Sequence, residues 1–126
     1  MDLNGKKALI TGGGTGMGRG IALALAREGC LVAITGRREE KLREAARLWR
    51  TRPPILTCPA DVADRGSVER LFAWAARELG SIDLLVLAAG INIRRRSLEQ
   101  TQPEDWDHVL QINATGAFNC IQAVLP

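Results

Sequence analysis

Six glycines lie within residues 12–20, between the apolar run KALIT and the alanine-rich segment IALALA. Glycine weakens both strands and helices, so a cluster at their junction needs a local reason. A glycine-rich turn that opens a helix presents unpaired backbone N–H groups to an anion, and the helix dipole adds to that attraction. The pattern therefore predicts a phosphate-binding loop.

Three of these glycines have separate expected tasks. Gly12 makes the tight turn out of the strand, Gly16 lets a pyrophosphate approach the backbone, and Gly18 lets the helix pack close to the sheet. The loop is not a P-loop, because Arg19 follows Gly18 where a P-loop needs Lys and then Ser or Thr. The spacing GxGxxG is also absent. A flexible turn without a ligand is the alternative interpretation.

Four short apolar runs alternate with stretches of helical periodicity. The runs are predicted to be strands buried on both faces, and they cover residues 7–11, 31–35, 55–58 and 82–87. Apolar residues at helical spacing predict three helices between the runs and a fourth after the last one. Alternating strands and helices with short connections predict a single α/β domain with a parallel sheet.

The predicted helices carry end signals. Gly29 and Gly80 fall just past helix ends, where a left-handed residue is favoured, and Asp64 is expected to cap the third helix. The fourth helix is expected to open with a capping box from Thr101 to Glu104. An apolar stripe on this helix, Trp106, Val109 and Leu110, is expected to face the interior.

The loop TGGGTGMG, residues 11–18, matches the pattern TGxxxGxG, and at this point the chain resembles the short-chain dehydrogenase/reductase family. Asp61 and Val62 resemble the family's pair that contacts the adenine ring. AAG at residues 88–90 resembles the end of the family's NNAG motif. Leu87 and Ala88 replace its two asparagines, so the amide bracing of this loop is not expected. The resemblance covers the whole chain.

The resemblance implies a Rossmann-like doubly wound parallel sheet, truncated after about four strands in the order 3-2-1-4. Residues 1–126 are then one NAD(P)-binding domain, the N-terminal half of the family's fold. The implied cofactor-binding residues lie in the glycine loop, after the second and third strands, and after the fourth strand. They are Gly12, Thr15, Gly16, Met17, Gly18, Arg37, Asp61, Val62, Ala89 and Gly90.

The resemblance implies one catalytic residue in this chain, Asn113. In such enzymes the matching asparagine holds a helix kink and a water in a proton relay to a catalytic lysine. Their tyrosine acts as acid or base toward the substrate oxygen, and the lysine lowers its pKa. The family's Tyr-xxx-Lys and serine lie downstream of that asparagine, and this chain contains no tyrosine. The chain alone is therefore expected to be inactive.

The residues after the second strand indicate NADP rather than NAD. Gly36 stands where NAD-preferring relatives usually carry an acidic residue for the ribose 2′-hydroxyl. Arg37 follows, with a planar fork of donors suited to a 2′-phosphate. Arg38 either assists or faces solvent, and Thr15 lacks the basic charge that some NADP-binding relatives carry in the glycine loop.

Several of these residues have structural alternatives. Asp61 either serves the nucleotide or simply caps a turn. Asn113 falls one helical turn beyond Val109, so its amide is expected to face the interior and find hydrogen-bond partners there. The arginines at positions 94, 95 and 96 either meet an acidic substrate or form a solvated loop, and the solvated loop is the favoured interpretation.

Composition excludes several other classes. A net charge of +3 without aromatic residues among the basic ones does not indicate nucleic-acid binding. No run approaches the length of a membrane span, and no signal peptide is present, so a cytoplasmic location is expected. The three cysteines are far apart and are expected to be reduced and buried, with no metal site.

The predicted function is that of an NADP(H)-dependent short-chain oxidoreductase. It would move a hydride between the cofactor and a small-molecule carbonyl or alcohol, and its full-length form is expected to be a homo-oligomer. A noncatalytic nucleotide-binding regulatory module is the alternative. Another Rossmann-like enzyme, such as a methyltransferase, is disfavoured because Asp61, Gly90 and Asn113 all suit the reductase.

Overall fold

Residues 2–94 and 96–125 are described by the computed structural model, and their strands form one parallel sheet in the order β3-β2-β1-β4. The strands are β1 Lys7–Thr11, β2 Leu31–Gly36, β3 Leu56–Pro59 and β4 Leu84–Leu87. In the register, Ala8 lies between Val32 of β2 and Leu84 of β4. The predicted fold class and strand order are confirmed.

Helices cover both faces of this sheet. They are α1 Gly16–Arg27, α2 Glu39–Arg47, α3 Arg65–Leu79, α4 Pro103–Leu110 and α5 Gly116–Val124, with a π-helical turn Gln111–Thr115 joining the last two. Ile10 and Ile34 pack with α1 and α2 on one face, while Leu9 and Ala33 pack with α3 on the other. Successive strand residues point to opposite faces. Because both faces are buried, the sequences of β1 and β2 are continuous apolar runs.

The bounds of three strands differ from the prediction, β2 by one added residue at its carboxyl end. β3 begins at Leu56, and it includes Pro59 because an edge strand tolerates a residue without a backbone N–H. β4 begins at Leu84 and not at Ile82. Just before it, the Asp83 carboxylate accepts the backbone N–H of Lys7 at 2.9 Å. That side-chain bond fixes the entry of β4 beside β1.

The helix-end predictions are confirmed at three positions and wrong at one. Gly29 and Gly80 have φ angles of 89° and 81°, and the Asp64 side chain accepts the N–H of Gly66 at 3.1 Å. Helix α4 begins at Pro103 with Gln102 as its N-cap, one residue later than a Thr101 capping box requires. Proline suits the first helical position because its missing N–H would have no intrahelical partner.

The apolar stripe predicted on α4 does not face the interior. Trp106 is 58% exposed and Leu110 is 42% exposed, and α4 has no buried residue. Two apolar residues of α5, Phe118 and Ile121, are exposed as well. Helical periodicity identified the stripe correctly, but no described element packs over it.

The three cysteines are free thiols in different environments. Cys30 and Cys120 are buried as predicted, whereas Cys58 is half-buried because it lies on edge strand β3. Burial raises the pKa of the Cys120 thiol to about 11. Burial also raises the pKa of the other two thiols, with Arg77 acting in the opposite direction on Cys58.

These environments predict the order in which the thiols react with an alkylating reagent. We expect Cys58 to be modified first in the folded protein, because it alone of the three is partly accessible to solvent and Arg77 opposes the rise of its pKa, and thiolate is the reactive form. Cys120 should react only after denaturant is added. Peptide mass spectrometry over a time course measures this order, and equal rates at Cys58 and Cys120 in the folded chain would contradict it.

Candidate nucleotide-binding site

The glycine loop turns sharply between β1 and α1, and Gly12 makes the turn. Its φ is +65°, and a Cβ at this position would lie 2.6 Å from the carbonyl oxygen of Ala88. The next residue, Gly13, donates its backbone N–H to the oxygen of Thr35 at 3.1 Å. Backbone from the ends of β2 and β4 therefore holds the start of the loop from both sides, and a side chain on Gly12 would clash with the backbone after β4.

Two glycines at the start of helix α1 differ in the space available for a side chain. Gly16 has a φ of +53°, and a Cβ there would meet nothing within 4 Å. A Cβ on Gly18 would overlap the carbonyl oxygen of Gly12. Thr15 is the N-cap residue and makes no side-chain capping bond. The backbone N–H groups of this first turn are thus presented to open space, where an anion can approach them.

A cavity of about 170 Å³ lies beside this loop, at the carboxyl ends of the strands. Four segments that are distant in sequence form its wall: the glycine loop, the end of β2 with the start of α2, the loop after β3, and the loop after β4. The lining residues are Gly12, Gly14, Thr15, Gly36, Arg37, Arg38, Lys41, Leu42, Ala60, Asp61, Val62, Ala89, Gly90, Ile91 and Ile112.

Three cations lie on one side of the cavity. Arg37 and Arg38 follow β2 directly, and Lys41 comes from the first turns of α2. The Nζ atom of Lys41 is 3.6 Å from a carboxylate oxygen of Glu44, and both side chains are partly exposed. Gly36 contributes no side chain beside Arg37. This wall of the cavity is suited to an anionic group.

The loop after β3 forms a wall with its own internal bonds. The Asp61 side chain accepts the N–H of Ala63 at 3.0 Å, and the Asp61 N–H is donated to the hydroxyl of Ser67 at 2.9 Å. Asp61 therefore does cap a turn, the structural role weighed for it, while also lining the cavity. Val62 is 8% exposed and places an apolar side chain beside it.

The loop after β4 is fixed without the two asparagines of the family motif. The N–H of Ala89 is donated to the hydroxyl of Thr11 at 3.2 Å, so β1 supplies part of the bracing. Two further bonds run between Asn113 and the backbone of Ile91: Asn113 Oδ1 accepts the Ile91 N–H at 2.8 Å, and Nδ2 donates to the Ile91 oxygen at 2.9 Å.

Asn113 was expected to face the interior, and that expectation is wrong. The residue is exposed, yet both polar atoms of its amide are paired with Ile91. It lies in the π-helical turn Gln111–Thr115, which shifts its direction from that of a regular helix. The partners are there as predicted, but they belong to a surface loop.

Arg94 and Arg96 do not line the cavity. Arg94 and Arg96 are exposed, and Arg96 donates through Nε to the oxygen of Ile93 at 3.0 Å. Arg95 lies outside the described residues. The solvated-loop interpretation suits the two that are described.

Most of the predicted site residues come together. Those that line the cavity are Gly12, Thr15, Arg37, Asp61, Val62, Ala89 and Gly90. Gly16 and Met17 are exposed at the start of α1, Gly18 is buried against Gly12, and Asn113 lies beside the loop after β4. Sequence reasoning missed Lys41, which lies one helical turn after Arg38 and could have been found by that spacing.

Two negative observations apply to residues 2–94 and 96–125. No helix in these ranges is long and apolar enough to cross a membrane. Within the same ranges, no three His, Cys, Asp or Glu side chains are grouped to hold a metal ion.

Comparison with known proteins gives a consistent family. The protein-family model described as short chain dehydrogenase matches residues 6–126. The chain is 37% identical over 125 residues to glycine betaine reductase ATRR of Emericella nidulans, covering 98% of this chain and 10% of that protein. It is 37% identical over 123 residues to the 3-oxoacyl-[acyl-carrier-protein] reductase FabG of Staphylococcus aureus, covering 96% and 50%.

Solved structures agree with the sequence matches. A short-chain type dehydrogenase/reductase from Mycobacterium marinum superposes with a TM-score of 0.92 at 34% identity, over 98% of this chain and 50% of that one. The 3-ketoacyl-(acyl-carrier-protein) reductase from Brucella melitensis, complexed with NADH, gives 0.92 at 31% identity over the same shares. The chain thus spans half the length of each of these two structures.

Proposed function

The chain belongs to the short-chain dehydrogenase family, and from that premise we propose that it forms the NADP(H)-binding half of an oxidoreductase acting on a small carbonyl or alcohol. The observation that carries the proposal is the cavity, whose wall unites the glycine loop with residues after three different strands. Ligands of open α/β sheets bind at this end of the strands.

The residues that line the cavity and open helix α1 fit the parts of a nicotinamide dinucleotide. The open position at Gly16 and the unpaired first turn of α1 suit a diphosphate, because the backbone can approach it without a Cβ in between. Val62 would pack against the adenine ring, with Asp61 holding the turn. Ala89 and Gly90 would border the ribose nearer the nicotinamide.

The chemistry itself is a hydride transfer, which a bound nicotinamide supplies. This chain's own contribution is to hold and orient that group. Asn113 would act by fixing the backbone of Ile91, beside Gly90, through its two bonds. Carbonyl reduction is favoured for the substrate class because the two acyl-carrier-protein reductases are named for reducing a ketone.

Preference for NADP over NAD rests on the wall that holds Arg37. A carboxylate after β2 would repel a 2′-phosphate, whereas Gly36 leaves space and Arg37 offers two parallel donors. The Brucella melitensis relative is complexed with NADH. The preference of this chain for NADP or NAD is therefore inferred from its own residues after β2.

We expect NADPH to bind more tightly than NADH, and Arg37→Ala to remove most of the difference. A hydrogen bond to a charged group contributes roughly 1.5–3 kcal/mol, which is about ten- to a hundredfold in affinity. Titration of both nucleotides at one fixed salt concentration measures the ratio, because salt screens exposed charges.

Arg47→Ala is the control, since it removes the same charge from the last turn of α2, outside the cavity wall. It should leave the ratio unchanged. Arg38→Ala shows whether the neighbouring arginine assists. Equal affinities for the two nucleotides in the unmodified chain, or an unchanged ratio in Arg37→Ala, would rule out the assignment of Arg37.

A further inference from the structure

We propose that Asn119, a buried residue of helix α5, is a positioning residue for the adenine side of the cavity, acting through the backbone oxygen of Val62. The proposal rests on the proposed function, because it takes the loop after β3 to be an adenine-contacting wall. Asn119 is 5% exposed, and its Nδ2 donates to the Val62 oxygen at 2.9 Å.

The amide oxygen of Asn119 also has a hydrogen-bond partner. Its Oδ1 accepts a hydrogen bond from the Arg65 guanidinium at 3.3 Å, and that guanidinium lies 5.6 Å from the centre of the Phe118 ring. Arg65 also donates to Gln122. A side chain paired at both ends is held in one orientation, so the donor that faces Val62 has little freedom to move.

Helix α5 also approaches Val62 closely. A Cβ on Gly116 would lie 2.6 Å from Cγ2 of Val62, so only glycine permits this separation. Val62 is thus held on two sides: its carbonyl oxygen by Asn119 and its side chain by the backbone at Gly116. The position of this cavity wall is therefore set by α5, which does not itself line the cavity.

A second amide acts on the same loop. Gln111 donates through Nε2 to the oxygen of Ala63 at 3.1 Å. In a regular α-helix, residues eight apart are about 80° out of alignment. The π-helical turn Gln111–Thr115 takes up one extra residue, which reduces the misalignment to about 20°. The π turn therefore places Gln111 and Asn119 on one face, opposite the loop after β3.

One continuous helical segment consequently contacts both loops that flank the cavity. Gln111 and Asn119 bond to the loop after β3, while Asn113, between them, bonds to Ile91 in the loop after β4. All three are side-chain amides paired with main-chain atoms. The geometry ties the width of the cavity to this segment.

Asn119→Asp tests the proposal because it keeps the acceptor for Arg65 and removes the donor to Val62. We expect its affinity for 5′-AMP to fall about three- to tenfold, the worth of a neutral hydrogen bond. Its affinity for inorganic pyrophosphate, which needs only the glycine loop, should stay unchanged. A merely structural role would move both affinities or neither.

Two further variants complete the test. Gln111→Met removes the exposed donor to Ala63 and, like Asn119→Asp, should lower the affinity for AMP. Leu71→Val weakens the core on the same face of the sheet, in a cluster that does not include Val62, and should leave AMP affinity unchanged. Calorimetric titration measures the affinities, and thermal melting shows that each variant is folded.

Unchanged AMP affinity in Asn119→Asp, or an equal loss for AMP and pyrophosphate, overturns the proposal. If Asn119→Asp does not fold, Gln111→Met decides, and unchanged AMP affinity there overturns it. If the unmodified chain binds neither AMP nor NADPH, the proposed function fails and this inference fails with it. If it binds both and the variants match it, only this inference fails.

Discussion

Gly18→Ala is expected to destabilise the chain by about 2 kcal/mol and to weaken nucleotide binding with it. The added Cβ would overlap the carbonyl oxygen of Gly12, a backbone atom that cannot rotate away. Overpacking costs roughly 1–3 kcal/mol, and the gain in helix propensity returns about 1 kcal/mol. The upper part of the overpacking range applies because Gly12 lies close to the backbone of Ala88 and has no space to move away.

Gly20→Ala is the matched control, in the same helix and with the same added methyl group. A Cβ there meets nothing within 4 Å, so only the propensity gain of up to about 1 kcal/mol remains. The two variants should therefore shift the denaturant midpoint in opposite directions. A Gly18→Ala chain as stable as the unmodified one would show that α1 can move away from the loop without cost.

The second large effect is an absence of turnover. We expect this chain to bind nucleotide but to oxidise no alcohol and reduce no carbonyl, because it contains no tyrosine to act as the acid or base. Positioning a cofactor does not replace a proton donor at the substrate oxygen. A spectrophotometric assay of NADPH consumption, run beside a binding titration, separates the two properties.

Gly16→Val is the control for this expectation, since a side chain there is strained at a φ of +53° and would occupy the approach to the loop. Turnover by pure protein that disappears in Gly16→Val would contradict the expected inactivity. Such turnover would also mean that another group serves as the acid. Trace activity that persists in Gly16→Val would come from a contaminating enzyme.

The parallel sheet and its order were predictable from local pattern plus one family motif. Apolar runs such as KALIT contain no polar alternation, which indicates burial on both faces, and the positions of Gly12 and Gly18 follow from the turn. The same reasoning found seven of the residues that line the cavity, because their roles attach to the ends of strands.

The misses have a common physical cause, which is that helical periodicity shows which side is apolar but not what lies against it. The stripe at Trp106 and Leu110 was identified, yet it is exposed. Asn113 was assigned to the interior by counting α-helical turns through a segment that contains a π turn. Asn119 was missed altogether, because its partner Val62 lies 57 residues away in the chain.

The central place of β1 has a consequence during synthesis. Its register joins Ala8 to Val32 on one side and to Leu84 on the other, so its second partner is made much later than its first. At about 5–20 residues per second, the roughly 50 residues between β2 and β4 take several seconds to emerge from a ribosome. Throughout that interval β1 keeps one row of backbone groups unpaired, open to any other strand nearby.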